Sequence, residues 1–237
     1  MRDFTIARYG DMHTVAVLVA QRLLRSNREP ADKLDLKVDG EFGDSTRRAL
    51  HTFQHRHHLP RSSVIDAKTF STLGLETLKV HGVRMHAQKK PARCWAAAAA
   101  MLLSGREPTS GAAKTDHRGA LVSTDENVKL FAGSLRWEYL GGHTKGDALL
   151  TKVLISPLWL GGENLNKHHT ADAIHALVLA GMFAYVWQGR KWYLLKVFDP
   201  LPMGRGRIYF MEYDEPRLPG GQTFSLRWVL VPRTWIP

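Results

Sequence analysis

Apolar positions recur at helical spacing near the start of the chain, where Val15, Val19, Leu23 and Leu24 share one stripe. The polar stretch from Asn27 to Gly43, with Pro30, Gly40 and Gly43 in it, reads as a loop. Asp44 or Ser45 can cap the next helix, which turns Ala49, Leu50 and Phe53 inward. Leu59-Pro60 ends it, since proline disfavours helical backbone in the residue before it, and Asp66 can cap a third helix with Phe70 and Leu73. Three short helices over residues 12–78 predict a small domain, 1–78, with a thin but sufficient core. Residues 77–87 read as a linker.

The pattern then changes. Ala96 to Leu103 is a compact Ala-rich helix that Gly105 can end, and residues 106–150 show no period that places their elements. His175 to Val186 and Lys191 to Phe198 are apolar strand candidates with Gly189-Arg190 at the turn between them, a β-hairpin. Further strands are expected at Ile208–Tyr213 and Phe224–Val231. A helix followed by a sheet predicts an α+β domain over residues 79–237.

Charge divides the chain in the same place. Residues 1–78 hold 12 Lys/Arg against 10 Asp/Glu, while 79–237 hold 21 against 12, within a formal net charge of +11. A basic surface favours polyanions: nucleic acid, anionic membrane or the carboxylate-bearing bacterial wall. No helix-turn-helix or Cys/His finger is evident, so nucleic acid is not expected as a partner. No stretch has the length of a membrane span. Val15 to Ala20 is too short for the apolar core of a signal peptide and leads into Gln21-Arg22, so an ordinary secretion signal is not expected. The single cysteine excludes an intramolecular disulfide framework and any Cys-based zinc site, leaving Cys94 as a small buried apolar residue or a reactive thiol.

The run Val38-Asp39-Gly40-Glu41-Phe42-Gly43-Asp44-Ser45-Thr46, continued by Ala49-Leu50 and Phe53-Gln54, resembles the signature of peptidoglycan-binding domains. A shorter echo follows at Val64-Ile65-Asp66-Ala67-Lys68-Thr69-Phe70 to Leu73, where the glycine common after the Asp is missing. The resemblance spans about residues 12–76 and implies wall binding. The motif residues themselves read as structural: glycines for the tight loop, Phe42, Phe53 and Phe70 for core.

A second resemblance lies in the second half. Gln88, six residues before Cys94-Trp95 at the start of the Ala-rich helix, is similar to the arrangement in papain-like cysteine peptidases. A thiol at a helix start meets unpaired N–H groups and the positive dipole end, which favour thiolate, and Lys89, Lys90 and Arg93 add charge nearby. His175 heads an apolar strand, and Asp199-Pro200 ends the strand that returns beside it, so the two can meet. The resemblance implies Cys94 as nucleophile, His175 as general base, Asp199 as the group orienting the imidazole, and Gln88 with the Cys94 N–H as oxyanion donors. Plant papains carry Asn where Asp199 stands; Asp resembles bacterial secreted and effector relatives. Ser156-Pro157-Leu158-Trp159, Asp199-Pro200-Leu201-Pro202 with Gly204-Arg205-Gly206, and the aromatic strand Tyr209–Tyr213 resemble that branch too, with Ser156 and Leu201 departing from its Gly and Trp. This resemblance covers about residues 84–215.

His143, His168 and His169 lack a carboxylate at ligand spacing, so no metal and no cofactor is expected, and Gly161 to Asp172 reads as loop. His55, His57 and His58, among Arg56 and Arg61, read as a basic surface, and Glu163 with Asp172 does not make a glycosidase pair. Together the two resemblances imply a bacterial wall hydrolase, a cysteine peptidase or amidase cutting peptide or amide bonds of peptidoglycan stem peptides. Export as an antibacterial effector without a signal peptide, type VI secretion among the routes, would place it at the periplasm and wall of a target cell, with a secretion apparatus and an immunity protein as partners. A papain-like effector cleaving a host or competitor protein, a phage-type lysin, and a catalytically silent wall binder are the alternatives.

Overall fold

The computed structural model describes residues 5–11, 14–29, 35–141, 147–165, 171–216, 218 and 222–235. It is a mixed α and β protein with a helical N-terminal part and a large antiparallel sheet. The chain divides into two compact units: one of Met1–Thr77, Phe183–Leu194 and Phe210–Gly221, the other of Leu78–Met182, Leu195–Tyr209 and Gln222–Pro237. The first unit thus also takes in two stretches that lie after residue 78 in the chain.

The first unit contains α1 (Val15–Ser26), α2 (Asp44–Arg56) and α3 (Ala67–Thr72). Thr14 caps α1 by accepting from the Val17 N–H at 3.2 Å, and Asp66 caps α3 by accepting from the Thr69 N–H at 2.7 Å. The cap of α2 is Gly43, not Asp44 or Ser45; Asp44 lies in the first turn, where its charge suits the helix dipole, and pairs with Arg47 at 2.9 Å. Two short strands absent from the expected pattern, β1 (Thr5–Arg8) and β2 (Val64–Asp66), pair antiparallel. The glycine-rich motif is organised by one buried side chain. Gln21 accepts from the Asp39 N–H at 3.0 Å and the Gly40 N–H at 2.8 Å, and its Nε2 lies 2.9 Å from both Asp39 Oδ1 and Thr46 Oγ1. Gly40 sits at φ 78°, a conformation that favours glycine. Leu50, Phe42, Phe53 and Phe70 are buried, and Phe183, Tyr185, Leu194 and Phe210 complete the same apolar cluster.

In the second unit α4 (Cys94–Leu102) is buried from Trp95 onward, which explains its run of alanines: every face meets protein, and only small side chains let neighbours approach. Trp95 donates to the Gly119 carbonyl at 3.0 Å, and Trp159 donates to the Trp95 carbonyl at 3.1 Å. The unpatterned stretch 106–150 holds α5 (Asp125–Ser134), a two-residue strand β4 (Glu138–Tyr139) and the start of α6 (Asp147–Ile155). The expected linker is a strand through Val80, β3 (Glu76–Val80).

The remaining strands are β5 (Leu158–Leu165), β6 (Ala171–Trp187), β7 (Arg190–Asp199), β8 (Arg207–Glu212) and β9 (Thr223–Val231). Their order is β4-β9-β5-β6-β7-β8, with β3 also paired to β6. The turn between β6 and β7 is Gln188-Gly189, one residue earlier than expected, with φ 51° and 73°, the left-handed pair that a two-residue hairpin requires. Gly161 to Leu165 is strand rather than loop. Its glycines are there for close packing: a Cβ on Gly162 would lie 2.4 Å from the Ser225 carbonyl, and one on Gly161 would lie 2.8 Å from the Trp159 ring.

Candidate active site

Three elements of the second unit converge. Cys94 is the first residue of α4, a free and half-buried thiol. His175 stands on β6 opposite Gly162 and is 4% exposed. Asp199 ends β7 and is wholly buried. The hairpin brings the last two together, with His175 Nε2 2.7 Å from Asp199 Oδ1. That bond fixes the tautomer and leaves Nδ1 as the nitrogen open to another partner, and the Cys94 side chain lies near enough to raise the imidazole pKa.

Burial pulls the His175 pKa down, but the hydrogen bonds to Asp199 and Cys94 and the charges of both outweigh it, and it is raised to about 9. Asp199 receives a full set of donors. Oδ1 also accepts the Leu201 N–H at 2.9 Å, and Oδ2 accepts Arg207 Nε and Nη2, each at 3.0 Å. Burial pushes this carboxyl up, yet His175, the Leu201 N–H and the Arg207 charge together hold it below the usual carboxylate range. Asp199 is thus an ionised acceptor with no spare capacity to take a proton.

Gln88 is buried and strapped to the turn that follows Asp199: its N–H donates to the Pro200 carbonyl at 3.0 Å, and its carbonyl accepts the Gly204 N–H at 2.9 Å. Its side-chain Oε1 is covered and makes no hydrogen bond among the described residues. Gly206 closes the turn at φ 61°, where a Cβ would lie 2.4 Å from Met85 Sδ and 3.0 Å from the Asp199 carbonyl. Two neighbours escaped the sequence reading as site residues. Arg207 clamps Asp199, and the covered Tyr209 hydroxyl has no hydrogen-bond partner among the described residues; burial and the Asp199 charge push its pKa upward. The only signal for Arg207 was a basic residue closing the Gly204-Arg205-Gly206 segment, which does not reveal where its guanidinium points.

Among the described residues no group of three His, Cys, Asp or Glu could hold a metal ion, and no helix is long and apolar enough to cross a membrane. His143, His168 and His169 lie outside the described residues, as does the side chain of Asp172.

Residues 14–73 match the family described as "Putative peptidoglycan binding domain". The N-terminal part is a peptidoglycan-binding domain. The match covers about a quarter of the chain and takes in all three helices and the Asp39–Thr46 motif, which supports peptidoglycan as a partner. No curated protein matches the chain.

Proposed function

We propose that the chain is a wall-targeting cysteine hydrolase, with a papain-like second half that cuts peptide or amide bonds in peptidoglycan stem peptides. The observation that carries this reading is the convergence of Cys94, His175 and Asp199: a buried carboxylate 2.7 Å from His175 Nε2, and a thiol at the head of α4 near enough to raise the imidazole pKa. In this reading Cys94 Sγ attacks the scissile carbonyl carbon and its proton resides on His175 Nδ1. The carbonyl electrons move onto oxygen, where the Cys94 N–H and the Gln88 side-chain amide would receive them. When the intermediate collapses, the C–N bond breaks, the amine leaves with the proton from His175, and a thioester remains. Water, deprotonated by His175, hydrolyses that thioester and restores the thiol.

An imidazole raised to about 9 supports the ion-pair form of this mechanism, because the imidazolium stays charged at neutral pH. The peptidoglycan-binding domain supports the wall as substrate, since tethering raises local substrate concentration without altering the chemistry. Export as an antibacterial effector belongs to the same proposal. The test is mass spectrometry of purified sacculi digested by the full chain. New pairs of fragments whose masses sum to the parent plus one water, absent with Cys94→Ala, are expected. Sacculi of several wall types left intact, alongside Cys94-dependent cleavage of a denatured protein, would replace the wall substrate with a protein one.

A further inference from the structure

The second unit also has an open cleft of about 820 Å³, walled by His86, Lys89, Lys90, Arg93, Glu107 and Arg118. That volume suits a short peptide rather than a single ion. Four permanent cations face one carboxylate, and the carboxylate is already engaged: Glu107 lies 3.1 Å from His86 Nε2 and 3.8 Å from Arg93 Nη2. Lys89, Lys90 and Arg118 are exposed and make no salt bridge among the described residues. Lys89, Lys90 and Arg93 belong to the loop that leads directly into Cys94, turned by Ala92 at φ 59°. The cleft is therefore bordered by the backbone that delivers the nucleophile.

We propose that this cleft binds a carboxylate-bearing peptide, the acidic portion of the substrate whose neighbouring bond Cys94 attacks. The proposal rests on the cysteine-hydrolase reading. Glu107 shows the mode of recognition from within the chain, a carboxylate held by a histidine and an arginine. Lys89, Lys90 and Arg118, the last donating through Nε to His117 at 3.3 Å with the rest of its guanidinium left over, would serve a second carboxylate in the same way. Nucleic acid fits less well: the cleft wall has no Phe, Tyr or Trp on which a base could stack, and its one imidazole, His86, is already engaged by Glu107.

The experiment uses the full chain carrying Cys94→Ala, so that nothing is cleaved, and soluble muropeptides before and after amidation of their carboxyl groups. Titration should show binding weakened about tenfold by amidation, and by about as much in Lys89→Glu/Lys90→Glu and in Arg118→Glu. Arg233→Glu, an exposed charge reversal elsewhere, controls for net charge and should stay within about twofold. All these side chains are exposed, so the variants should fold. Binding that ignores the cleft substitutions overturns the proposal and leaves the hydrolase reading intact. Cleft-dependent binding without Cys94-dependent cleavage by the wild-type chain supports the cleft while sinking the hydrolase reading. A single-stranded oligonucleotide that displaces the muropeptide, with tighter and equally cleft-dependent binding, assigns the cleft to polyanions instead and also overturns it.

Discussion

The two units each bury a carboxylate under an arginine, and they use it differently. In the first, Glu212 on β8 receives the Arg22 guanidinium and the Tyr185 hydroxyl, with Arg22 lying 4.6 Å from the Trp187 ring centre and 5.1 Å from that of Trp192. In the second, Asp199 receives Arg207 and His175. The third member sets the two apart. Burial and Glu212 push the Tyr185 pKa further above its ordinary 10, so its proton stays in place throughout the neutral range. His175 holds a proton that leaves at about 9, and the Cys94 thiol lies near enough to help raise that value. A buried arginine–carboxylate pair is a structural device; a titratable ring between it and a nucleophile makes it a candidate for chemistry.

The sharpest way to test this contrast is to remove the parts of the first unit that come from later in the chain. Residues 1–78 alone lack Phe183, Tyr185, Leu194 and Phe210 from their apolar cluster. Each lost buried aromatic costs about 3–5 kcal/mol, comparable with the whole stability of a small domain. The fragment should show no cooperative melt by circular dichroism; a melt matching that of the first unit in the full chain would mean those residues are dispensable.

Next in size is the loss of turnover. His175→Ala and Cys94→Ala should lower kcat on sacculi about 10³-fold or more, while Tyr185→Phe should leave it within about twofold. Comparable losses from Tyr185→Phe and His175→Ala, with both proteins folded, would erase the distinction between the clusters.

Neutralising the two carboxylates separates them again. Glu212→Gln should cost about 3 kcal/mol in urea unfolding, since Arg22 is left as a buried charge without its counterion, with kcat little changed. Asp199→Asn should keep the ring oriented through its amide and retain partial turnover, lower by about 10- to 100-fold. Complete loss in folded Asp199→Asn would give Asp199 a role beyond orientation.

The smallest effect is in pH dependence. His175 has a raised folded pKa, so its stabilisation is fully present below its unfolded value of 6.5 and is lost as pH rises through about 9. The Tm difference between wild type and His175→Ala should narrow across that window, by a few degrees. The difference for Tyr185→Phe should stay flat there, because Tyr185 titrates above it.

How much of this could be read from the residues alone follows the distance over which each contact acts. Helical periodicity located α1, and Asp66 announced the start of α3 as its cap, because both act within a few positions. His175 and Asp199 could be brought together on paper because one hairpin joins them. The strand at Gly161–Gly162 was hidden, since glycine there answers to the Ser225 backbone and the Trp159 ring rather than to a turn. Arg22 and Glu212 lie 190 positions apart, beyond any periodicity. Arg207 is near Asp199 in sequence, but its role depends on where β8 aims its side chain.

The patchwork composition of the first unit also bears on its birth at the ribosome. Its earliest residues emerge first, yet Tyr185, Leu194 and Phe210 belong to its interior. Vectorial synthesis normally lets the leading domain finish before the next begins. Here the leading domain must wait, with α1 and α2 already made, until most of the polypeptide has been translated. A premature stop ahead of β8 would therefore deprive the cell of both halves at once, and a half-made chain would have neither a finished wall-binding module nor an assembled Cys94 site.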